Sequence, residues 1–538
     1  MSESFHIVAI AALAFGLPAI VLADTRLGPD TGAAGVPSIS AVMNNYSNVL
    51  PGAPNYGIAP GALIVIYGSN LAAPGSQAVL QNPARALPLT LNGCSVSITV
   101  YGQTVQPAIY YAIPSQVAVV LPSYTPVGAG TITVSYNQQV SVAASIQVVP
   151  SAFGFDAYGG ALAVATDNST GKLITTGNSA KPGETVTFWG AGVGADTNNT
   201  DVSPPTNFDN LNGITAFYLG GVPVPILYQG RSAYQGVDQI DVTIPPNAPT
   251  GCAVSVSAMS GGMVSNIVSI PIAAGGGTCV DPIAVVNPAR FATLSEQSTV
   301  KFAQITVAEI SLGGGAADPS ATANFVSISG SEFTGFQSVN QPSLGSCFVT
   351  QSTPATSSGP FALTGLNAGS LSVQGPSGTQ ALPLTSVGTY YANPLPAGFI
   401  PSSGGTFTFT GTGGSDAGAF TANASLPTPL VWGNSGSLDA VTRSRGVLVD
   451  WTGGGSGFVE INGSSQSAGG AFLASFVCNV SPSAGTFTVP PSVLLSMPAG
   501  AGMLSVSSYA APEDFSVPGL DFAFSLPYSE TFIQATYN

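Results

Sequence analysis

Hydrophobic and polar positions alternate in short runs along almost the whole chain. Runs rich in Val, Ile, Thr, Phe and Tyr are separated by Gly, Pro, Asn and Ser about every ten residues, and helical periodicity is hard to find after residue 24. Short strands at this spacing, broken by turn residues, are typical of β-sandwiches. The pattern therefore predicts an all-β protein.

One strand pattern occurs twice. The segment PGALIVIYGSNL, residues 60–71, returns 122 residues later as PGETVTFWGAGV, residues 182–193. The phrases LNGCSVSI, VQPAIYY, QVAVVLP and PSYTPVG return in the same order as LNGITAFY, VPVPILY, QIDVTIP and PPNAPTG. The same strands therefore recur, and the repetition predicts two homologous sandwiches, residues 50–149 and 150–274.

The rest of the chain keeps the strand-and-turn pattern. The glycine-rich stretch AAGGGTCVDP leads into a predicted linker, residues 275–300. Residues 301–538 contain hairpin-like stretches such as GVLVDWTGGGSGFVEING, in which alternating residues flank glycine turns. We expect one or two further sandwiches there, with a boundary near residues 395–403.

The repeated motifs resemble a known family. Pro-Gly, an apolar strand, Gly-Ser-Asn and then the Q[VI]xVx[LI]P strand resemble the IPT/TIG-type immunoglobulin-like repeat. More closely, PGALIVIYGSNLA, AKPGETVTFWGAGVG, VDQIDVTIP and GGMVSNIVSIPIA resemble the uncharacterised secreted domain family named for Solibacter, over roughly residues 50–275. The resemblance implies an exported protein of tandem immunoglobulin-like β-sandwiches with a further β-rich C-terminal region, and it supplies no catalytic residues. The insertion DTNNTDVSPPTNFDN departs from the short proline-rich loop of the family.

The two copies of the repeated strand differ in one respect. In ETVTFW, Val186 and Phe188 share one face, as in a strand with one face in a core. Transferred to the first copy, this register turns Leu63, Val65 and Tyr67 outward. An apolar outward face is costly in water. We expect it to be covered by the segment around residues 36–50, by the second sandwich or by another chain, and a bare face would be a partner surface.

The N-terminus carries an apolar run from residue 7 to residue 22, followed by the small-residue exit Val21-Leu22-Ala23. This predicts a signal peptide, residues 1–23, ahead of an N-terminal segment, residues 24–49. A membrane anchor is the alternative, although the run is shorter than the roughly 20 residues of a spanning helix. We expect a secreted, extracellular or cell-surface protein, with the periplasm as another location. The single histidine, His6, lies in the segment to be removed, so the mature chain would have no histidine for catalysis or metal binding.

Charge is sparse. The chain has 24 acidic and nine basic residues, a formal net charge of −15, and 6% charged residues in total. The bases are scattered, which argues against nucleic acid as a partner. No stretch after the N-terminus is long and apolar enough to predict a membrane span in the mature chain.

Five cysteines cannot all pair within one exported chain. Cys94 occupies the place of Ile214 in the second repeat, so we expect a buried free thiol. Cys252 and Cys279 then form one predicted disulfide that closes a loop worth about 3 kcal/mol. By elimination, Cys347 and Cys478 form the other.

Two carboxylates frame the turn WTGGGSG. A hairpin there would bring Asp450 and Glu460 near an exposed Trp451, and paired carboxylates beside an aromatic ring are what glycoside hydrolysis needs. Two strand-end acids at a solvated turn are the alternative.

Two further groups have candidate chemistry. Asp196, Asn198, Asn199 and Asp201 offer oxygen atoms that a calcium ion accepts, although loops rich in such residues also cap turns. Lys301, with Glu309 on the same run, resembles the lysine that crosslinks to asparagine in some surface sandwiches. Beyond calcium at this loop, no cofactor is expected.

These observations predict an exported, non-enzymatic extracellular or cell-surface protein for adhesion, display or assembly, with protein or glycan at the cell surface as partner. The alternative is a secreted glycan-binding or glycan-cleaving protein that uses the Trp451 hairpin. Fold alone does not choose between them.

Overall fold

The computed structural model describes residues 35–78, 85–158, 161–286, 290, 293–294, 296–330, 333, 342–353 and 363–538. The predicted signal peptide, residues 1–23, and His6 lie outside the described residues, and so does the first part of the N-terminal segment. The all-β fold class is confirmed, because the described residues form mostly strands joined by turns; α1 (Pro491–Leu494) is a short α-helix, and residues 290, 293, 294, 330 and 333 are also helical. Short 3-10 turns cover Ser435–Ser437, Arg443–Arg445, Ala468–Gly470 and Pro482–Ala484.

The first sandwich packs two antiparallel sheets, with strand orders β1-β2-β6-β5 and β4-β3-β7-β8, and β9 also pairs with β7. Its strands are β1 (Ser38–Asn44), β2 (Leu63–Ser69), β3 (Cys94–Val100), β4 (Gln103–Val105), β5 (Ala108–Ile113), β6 (Gln116–Val120), β7 (Gly128–Tyr136), β8 (Gln139–Val140) and β9 (Ala144–Val148). Burial alternates along β3, as expected of a strand with one face in a core. The predicted start of this sandwich at residue 50 is wrong, because β1 pairs with β2 and belongs to the same sheet.

The second sandwich has the same construction. One sheet has the order β10-β14-β18-β17, with β13 on β14, and the other has the order β11-β12-β21-β19-β15-β16, with β20 on β19. Its strands are β10 (Gly154–Phe155), β11 (Ala157–Tyr158), β12 (Leu162–Ala163), β13 (Ala165–Asp167), β14 (Thr185–Ala191), β15 (Ala216–Leu219), β16 (Val222–Pro223), β17 (Ile226–Arg231), β18 (Asp238–Thr243), β19 (Gly251–Ser260), β20 (Met263–Val264) and β21 (Val268–Ile272). Val186 and Phe188 lie in its core, in the predicted register.

The C-terminal region is built on one large sheet. Within the described residues its main path is β24-β36-β35-β38-β41-β22-β23-β29-β28, and two smaller sheets have the orders β27-β26-β30-β31 and β32-β34-β37. The strands are β22 (Thr299–Leu312), β23 (Asp318–Ser329), β24 (Ser346–Ser352), β25 (Thr364–Gly365), β26 (Leu371–Gly375), β27 (Gly378–Leu382), β28 (Leu384–Ser386), β29 (Thr389–Ala392), β30 (Gly405–Gly411), β31 (Phe420–Leu426), β32 (Val431–Trp432), β33 (Ala440–Val441), β34 (Val447–Thr452), β35 (Phe458–Gln466), β36 (Leu473–Val480), β37 (Thr486–Val489), β38 (Gly500–Tyr509), β39 (Glu513–Phe515), β40 (Phe522–Ser525) and β41 (Tyr528–Tyr537).

Both smaller sheets pack on the same face of the large sheet. The sheet that contains β30 encloses one core with Ile305 and Phe325, and the sheet that contains β34 encloses another with Ile461 and Val506. The long strand β22 joins the two halves, since it pairs in parallel with β40 and then with β41. The C-terminal region therefore consists of two sandwiches that share one sheet.

Two predicted boundaries in this half are wrong. The segment 395–403 lies inside one of these sandwiches, because β26 before it pairs with β30 after it, and Leu395 and Phe399 are buried in the core between them. The segment 275–300 is not a free linker either. Ile283, Val286 and Leu294 are buried against the aromatic centre of the large sheet.

Cysteine pairing holds separate parts of this fold together. Both predicted disulfides are present, Cys252–Cys279 with a Cα–Cα distance of 5.3 Å and Cys347–Cys478 with 4.0 Å. The second joins directly opposite residues of β24 and β36, so it fixes the edge strand β24 to the large sheet. Cys94 is a free, fully buried thiol, and burial raises its pKa to about 12.

The two disulfides should differ in their contribution to stability. Removal of Cys347–Cys478, with a sequence separation of 131 residues, by the double substitution to alanine should lower the free energy of unfolding by about 5 kcal/mol. The same change at Cys252–Cys279, with a separation of 27 residues, should lower it by about 3.5 kcal/mol, because the shorter loop restrains the unfolded chain less. Urea titration of the two variants measures both values, and a larger loss from the shorter loop would contradict this account.

Candidate functional site

The acid pair predicted from the WTGGGSG turn does not form. Strand β34, which carries Asp450, pairs with β32 and β37, whereas β35, which carries Glu460, pairs with β36 and β38 in the large sheet. The turn therefore crosses from one sheet to the facing sheet and closes no hairpin. Two carboxylates on opposite sheets do not frame one substrate, so the predicted glycoside-hydrolysis pair is wrong.

Trp451 is buried, which corrects the prediction of an exposed ring. Its side chain is 3% exposed and lies in the core between the sheets, opposite Trp432 on β32. Its indole Nε1 donates a hydrogen bond to the carbonyl of Pro482 at 3.0 Å. A buried, hydrogen-bonded ring stabilises the core and presents no face to a glycan.

The predicted calcium loop is used for turns and for a contact between sandwiches. The Asp196 carboxylate accepts hydrogen bonds from the Asn198 backbone at 2.9 Å and from the Asn199 side chain at 2.6 Å. The Asp201 carboxylate accepts two from Ser123 of the first sandwich, at 2.7 Å and 2.8 Å. Among the described residues no group of three or more acidic, cysteine or histidine side chains could hold a metal ion. The Asp196 carboxylate thus caps a turn. The hydrogen bonds between Asp201 and Ser123, here called the Asp201 latch, join the two sandwiches.

The apolar outward face of β2 is covered. Leu63 and Val65 are buried, and Tyr67 is half-buried with its hydroxyl hydrogen-bonded to the side chain of Asn48 at 3.2 Å. The Leu63 backbone donates to the carbonyl of Gly236 in the second sandwich at 3.0 Å. Residues after β1 and the second sandwich therefore both contribute to the cover.

The two candidate residues of the lysine run are far apart. Lys301 and Glu309 lie on the same strand, β22, eight positions and therefore about 26 Å apart, so Glu309 cannot assist a reaction at that lysine. The backbone N–H of Lys301 donates to Asp521. Hydrogen bonds from the Asn367 backbone and the Ser415 side chain lower the pKa of Asp416, and the Lys301 charge adds a smaller contribution. The lysine thus lies beside acidic groups.

A buried ion pair that the sequence analysis missed sits where the first two sandwiches meet. The Arg231 and Asp238 side chains are almost fully buried and pair with each other. Asp238 also accepts from the backbones of Gly192 and Val193 at 2.7 and 2.8 Å, and Arg231 donates to the carbonyl of Gly194 at 2.7 Å. These bonds satisfy both charges inside the protein.

The turn before β2 leaves room for the Arg231 side chain because it contains a glycine. Gly61 has a φ of +79°, and a Cβ atom there would collide with the guanidinium of Arg231. Gly183 occupies the same place in the second repeat with a φ of +84°, but it has open space around it. Comparison of the two repeats could have drawn attention to Asp238. This acid precedes Gln239, whereas the uncharged Ser115 precedes Gln116 at the same place in the first copy.

The large sheet carries an acidic row on the face opposite the two smaller sheets. Glu460 on β35 is directly opposite Ser507 on β38, and Ser507 is directly opposite Glu530 on β41. Opposed residues of antiparallel strands point to the same face, so the three side chains, here called the acidic row, stand side by side. Both glutamates are half-buried, and Ser507 is fully buried.

The environment of the acidic row disfavours charge. Burial raises the pKa of Glu460 to about 7, the neighbouring Glu530 carboxylate adds to the rise, and hydrogen bonds from Asn462 and Tyr509 oppose it. Burial also raises the pKa of Glu530, against one hydrogen bond from Ser505. The Asn462 amide lies 2.7 Å from the Glu460 carboxylate. Partial loss of water and mutual repulsion therefore both disfavour the ionised forms of Glu460 and Glu530.

Stacked aromatic rings border the acidic row on one side. Phe458, Tyr509 and Tyr528, two positions along each strand, stack with centroid distances of 4.8 and 4.9 Å. Burial raises the pKa of both tyrosines, and the charges of Glu460 and Glu530 raise it further. No local pattern in the sequence marks these residues, since the three strands lie far apart along the chain.

A second acidic feature lies on the opposite face. A cavity of about 170 Å³ is bordered by Glu309, Ser311, Leu430, Val506 and Thr531, where the chain passes from one small sheet to the other. Burial raises the pKa of Glu309. The hydroxyls of Ser311 and Thr531 are hydrogen-bonded to each other at 3.0 Å. Glu530 of the acidic row also borders the cavity, so two acidic residues line it among hydroxyl and apolar groups.

Comparison with known proteins gives distant likenesses only. No family model and no curated protein sequence matches the chain. SGBP-B from a complex xyloglucan utilization locus in Bacteroides uniformis is similar at 11% identity over 85% of this chain and 97% of that chain, with a TM-score of 0.17. Bacteroides ovatus SGBP-B from a mixed-linkage glucan utilization locus, solved with a mixed-linkage heptasaccharide, is similar at 12% identity over 85% and 92%, with a TM-score of 0.15.

Invasin, a bacterial integrin-binding protein, is similar at 13% identity over 88% of this chain and 76% of that chain, with a TM-score of 0.14. Because identities and TM-scores are this low, none of these likenesses carries an argument about function. Among the residues that the structure describes, no helix has the length and apolar character needed to cross a membrane.

The buried ion pair at the junction can be tested against an exposed one. Asp238→Asn should lower the free energy of unfolding by about 3–5 kcal/mol, because it leaves the Arg231 charge buried without its partner. The matched change Asp514→Asn breaks the exposed pair with Arg290 and should cost about 1 kcal/mol or less. Chemical denaturation measures both variants, and equal losses would show that the buried pair has no special role.

The pH dependence of stability tests the environment of the acidic row. Glu460 has a folded-state pKa of about 7 against an ordinary value of 4.5, so the folded protein binds more protons than the unfolded chain in this window. Stability of the metal-free protein should therefore fall as the pH rises from about 4.5 to 7, and Glu460→Gln should flatten that fall.

The control for this experiment is Asp416→Asn. The pKa of Asp416 lies below its ordinary value, so the substitution should leave the dependence between pH 5 and 7 unchanged. Urea midpoints in EDTA across this pH range measure both variants. A wild-type slope that survives Glu460→Gln unchanged would contradict the assignment.

Proposed function

We propose that this chain is an exported, non-enzymatic extracellular protein that serves in adhesion, display or assembly at the cell surface. The observation that carries the proposal is the pair of disulfides, Cys252–Cys279 and Cys347–Cys478, because such bonds form and persist in oxidising compartments outside the cytoplasm. Membership of the IPT/TIG-like repeat family, inferred from the repeated motifs, is part of the same proposal.

The contacts between the parts of the chain support a structural role. The second sandwich is joined to the first through the Arg231–Asp238 pair and the Asp201 latch. It is joined to the large sheet through hydrogen bonds between Ser255 and the start of β24, at 3.1 Å and 3.3 Å. Modules held together in this way present their loops and edges in fixed relative positions, which suits display or adhesion.

The separation of the two predicted catalytic carboxylates supports a non-enzymatic role. Asp450 and Glu460 lie on different sheets, and Trp451 is buried beneath them. The Trp451 hairpin therefore does not support the alternative of a glycan-cleaving protein. Protein or glycan at the cell surface remains the proposed class of partner.

Cell fractionation with thiol counting tests the proposal. In the cells that make the protein, a tagged full-length chain should be found outside the cytoplasm, and intact cells treated with protease should lose the surface-exposed tag. Denatured but unreduced protein should react with one equivalent of thiol reagent, from Cys94. A cytoplasmic chain with five reactive thiols would refute export.

A binding assay separates the roles within the proposal. Beads coated with the purified protein should capture either whole cells or one class of surface glycan or protein, and beads coated with the Asp238→Asn variant serve as the comparison for a disturbed arrangement of sandwiches. Turnover of a glycan by the purified protein would contradict the non-enzymatic role.

A further inference from the structure

The acidic row lacks a counter-charge. Within the described part of the chain, the ion pairs are Arg231–Asp238 and Arg290–Asp514, and neither involves Glu460 or Glu530. The charged neighbour that affects Glu460 is Glu530, which makes ionisation of both harder. Two half-buried carboxylates that repel each other are stabilised by a proton or by a bound cation.

A second observation points to an absent ligand at the same place. The hydroxyl oxygen of Ser507 is fully buried and has no hydrogen-bond partner, although it stands between the two glutamates on the same face. The glutamates bond elsewhere, Glu460 with Asn462 and Tyr509, and Glu530 with Ser505. A buried hydroxyl without a partner costs free energy, so a ligand that bound its oxygen would be stabilising.

One more atom of this region is unsatisfied. Asn479 on β36 is directly opposite Glu460, on the side away from Ser507, and is fully buried. Its amide nitrogen donates to the carbonyl of Pro342 at 2.8 Å, but its side-chain oxygen has no partner. The face therefore presents two carboxylates together with one hydroxyl oxygen and one amide oxygen that have no hydrogen-bond partner.

We propose that the acidic row, Glu460, Ser507 and Glu530, is a binding site for a hard divalent cation of the calcium type. Carboxylate, hydroxyl and amide oxygens are the donors that such an ion prefers, and calcium tolerates irregular sites that are completed by water. The ion supplies the missing positive charge and gives the Ser507 oxygen a partner. This site is distinct from the Asp196 loop, which lies in the second sandwich and contains no buried side-chain oxygen without a partner, and the inference does not depend on the proposed function.

The proposal fits the chemistry of the surroundings. Glu460, Glu530, Tyr509, Tyr528 and Tyr391 are the titratable groups that influence one another here. The ion binds carboxylates in their ionised form, so the binding experiment is carried out at pH 8. The half-buried position of both glutamates leaves the ion a path from solvent.

Calorimetric titration of the full-length protein, stripped with EDTA, tests the site. At pH 8 calcium chloride should bind with a stoichiometry of one ion per chain at the row, and Glu460→Gln and Glu530→Gln should each weaken that binding about tenfold or more, because each removes a charged ligand. Ser507→Ala should weaken it less. Parallel titrations with magnesium chloride compare the smaller ion, which should bind more weakly because it demands regular octahedral geometry.

Matched controls separate the row from other acidic places. Glu309→Gln makes the same substitution on the opposite face of the same sheet and should leave calcium affinity unchanged. Asp196→Asn tests the loop in the second sandwich and should also leave it unchanged. Glu460→Gln relieves a repulsion, so this variant should remain folded without calcium, as near-ultraviolet circular dichroism checks.

Three outcomes overturn the proposal. The first is a wild-type protein that binds neither calcium nor magnesium at pH 8, in which case the glutamates share a proton. The second is calcium binding that persists at full strength in both glutamine variants of the row. The third is loss of binding in Asp196→Asn alone, which would place the ion in the loop.

Discussion

The structure depends on the fact that strand β2 is apolar on both faces. Leu63 to Ile66 are all buried, so neither face of this strand can meet water without a large loss of hydrophobic stabilisation. One face is covered by the core of the first sandwich, and the other is covered by the turn after β1 and by the second sandwich. Docking of this kind also buries polar groups at the junction, and each must find a partner there. The Arg231–Asp238 pair and the Asp201 latch meet that requirement, which is why so many of the few charges lie near it.

The two faces of the large C-terminal sheet are covered from water to different extents. One face is buried under the two smaller sheets, and its residues Ile305, Val307, Ile461 and Val506 are apolar accordingly. The other face is covered at its aromatic centre by Ile283 and Leu294, which is the reason that the expected linker is buried. Beside that centre the cover is incomplete, and Glu460 and Glu530 keep partial access to solvent while losing much of their hydration. The unequal cover thus creates the acidic row.

Local and repeated patterns in the sequence predicted the parts of this structure that depend on neighbours along the chain. The strand alternation predicted the all-β class, and the match of Cys94 to Ile214 led to a buried thiol and two remaining pairs, as the structure has them. The failures involve contacts that are distant in sequence. A glycine-rich turn between two alternating runs is the same whether it closes a hairpin or crosses between sheets, so WTGGGSG could not reveal that β34 and β35 have different partners. The acidic row joins residues 460, 507 and 530 across three strands, and no spacing within one segment encodes that.

The scarcity of basic residues gives those buried acids their significance. In a chain with nine Lys and Arg against 24 Asp and Glu, most carboxylates must be stabilised by something other than an ion pair. Asp167 and Asp201 do this with hydroxyl and backbone donors from neighbouring Ser and Thr residues, which are abundant and uncharged. Such donors suffice for one carboxylate at a time, because each bond offsets part of the lost hydration. They do not remove the repulsion between two carboxylates, since a dipole has no net charge to set against the second anion. Glu460 and Glu530 are therefore stabilised by a positive charge from outside the chain, either a proton or a metal ion, and the unpartnered oxygen of Ser507 between them offers a metal ion a third oxygen ligand.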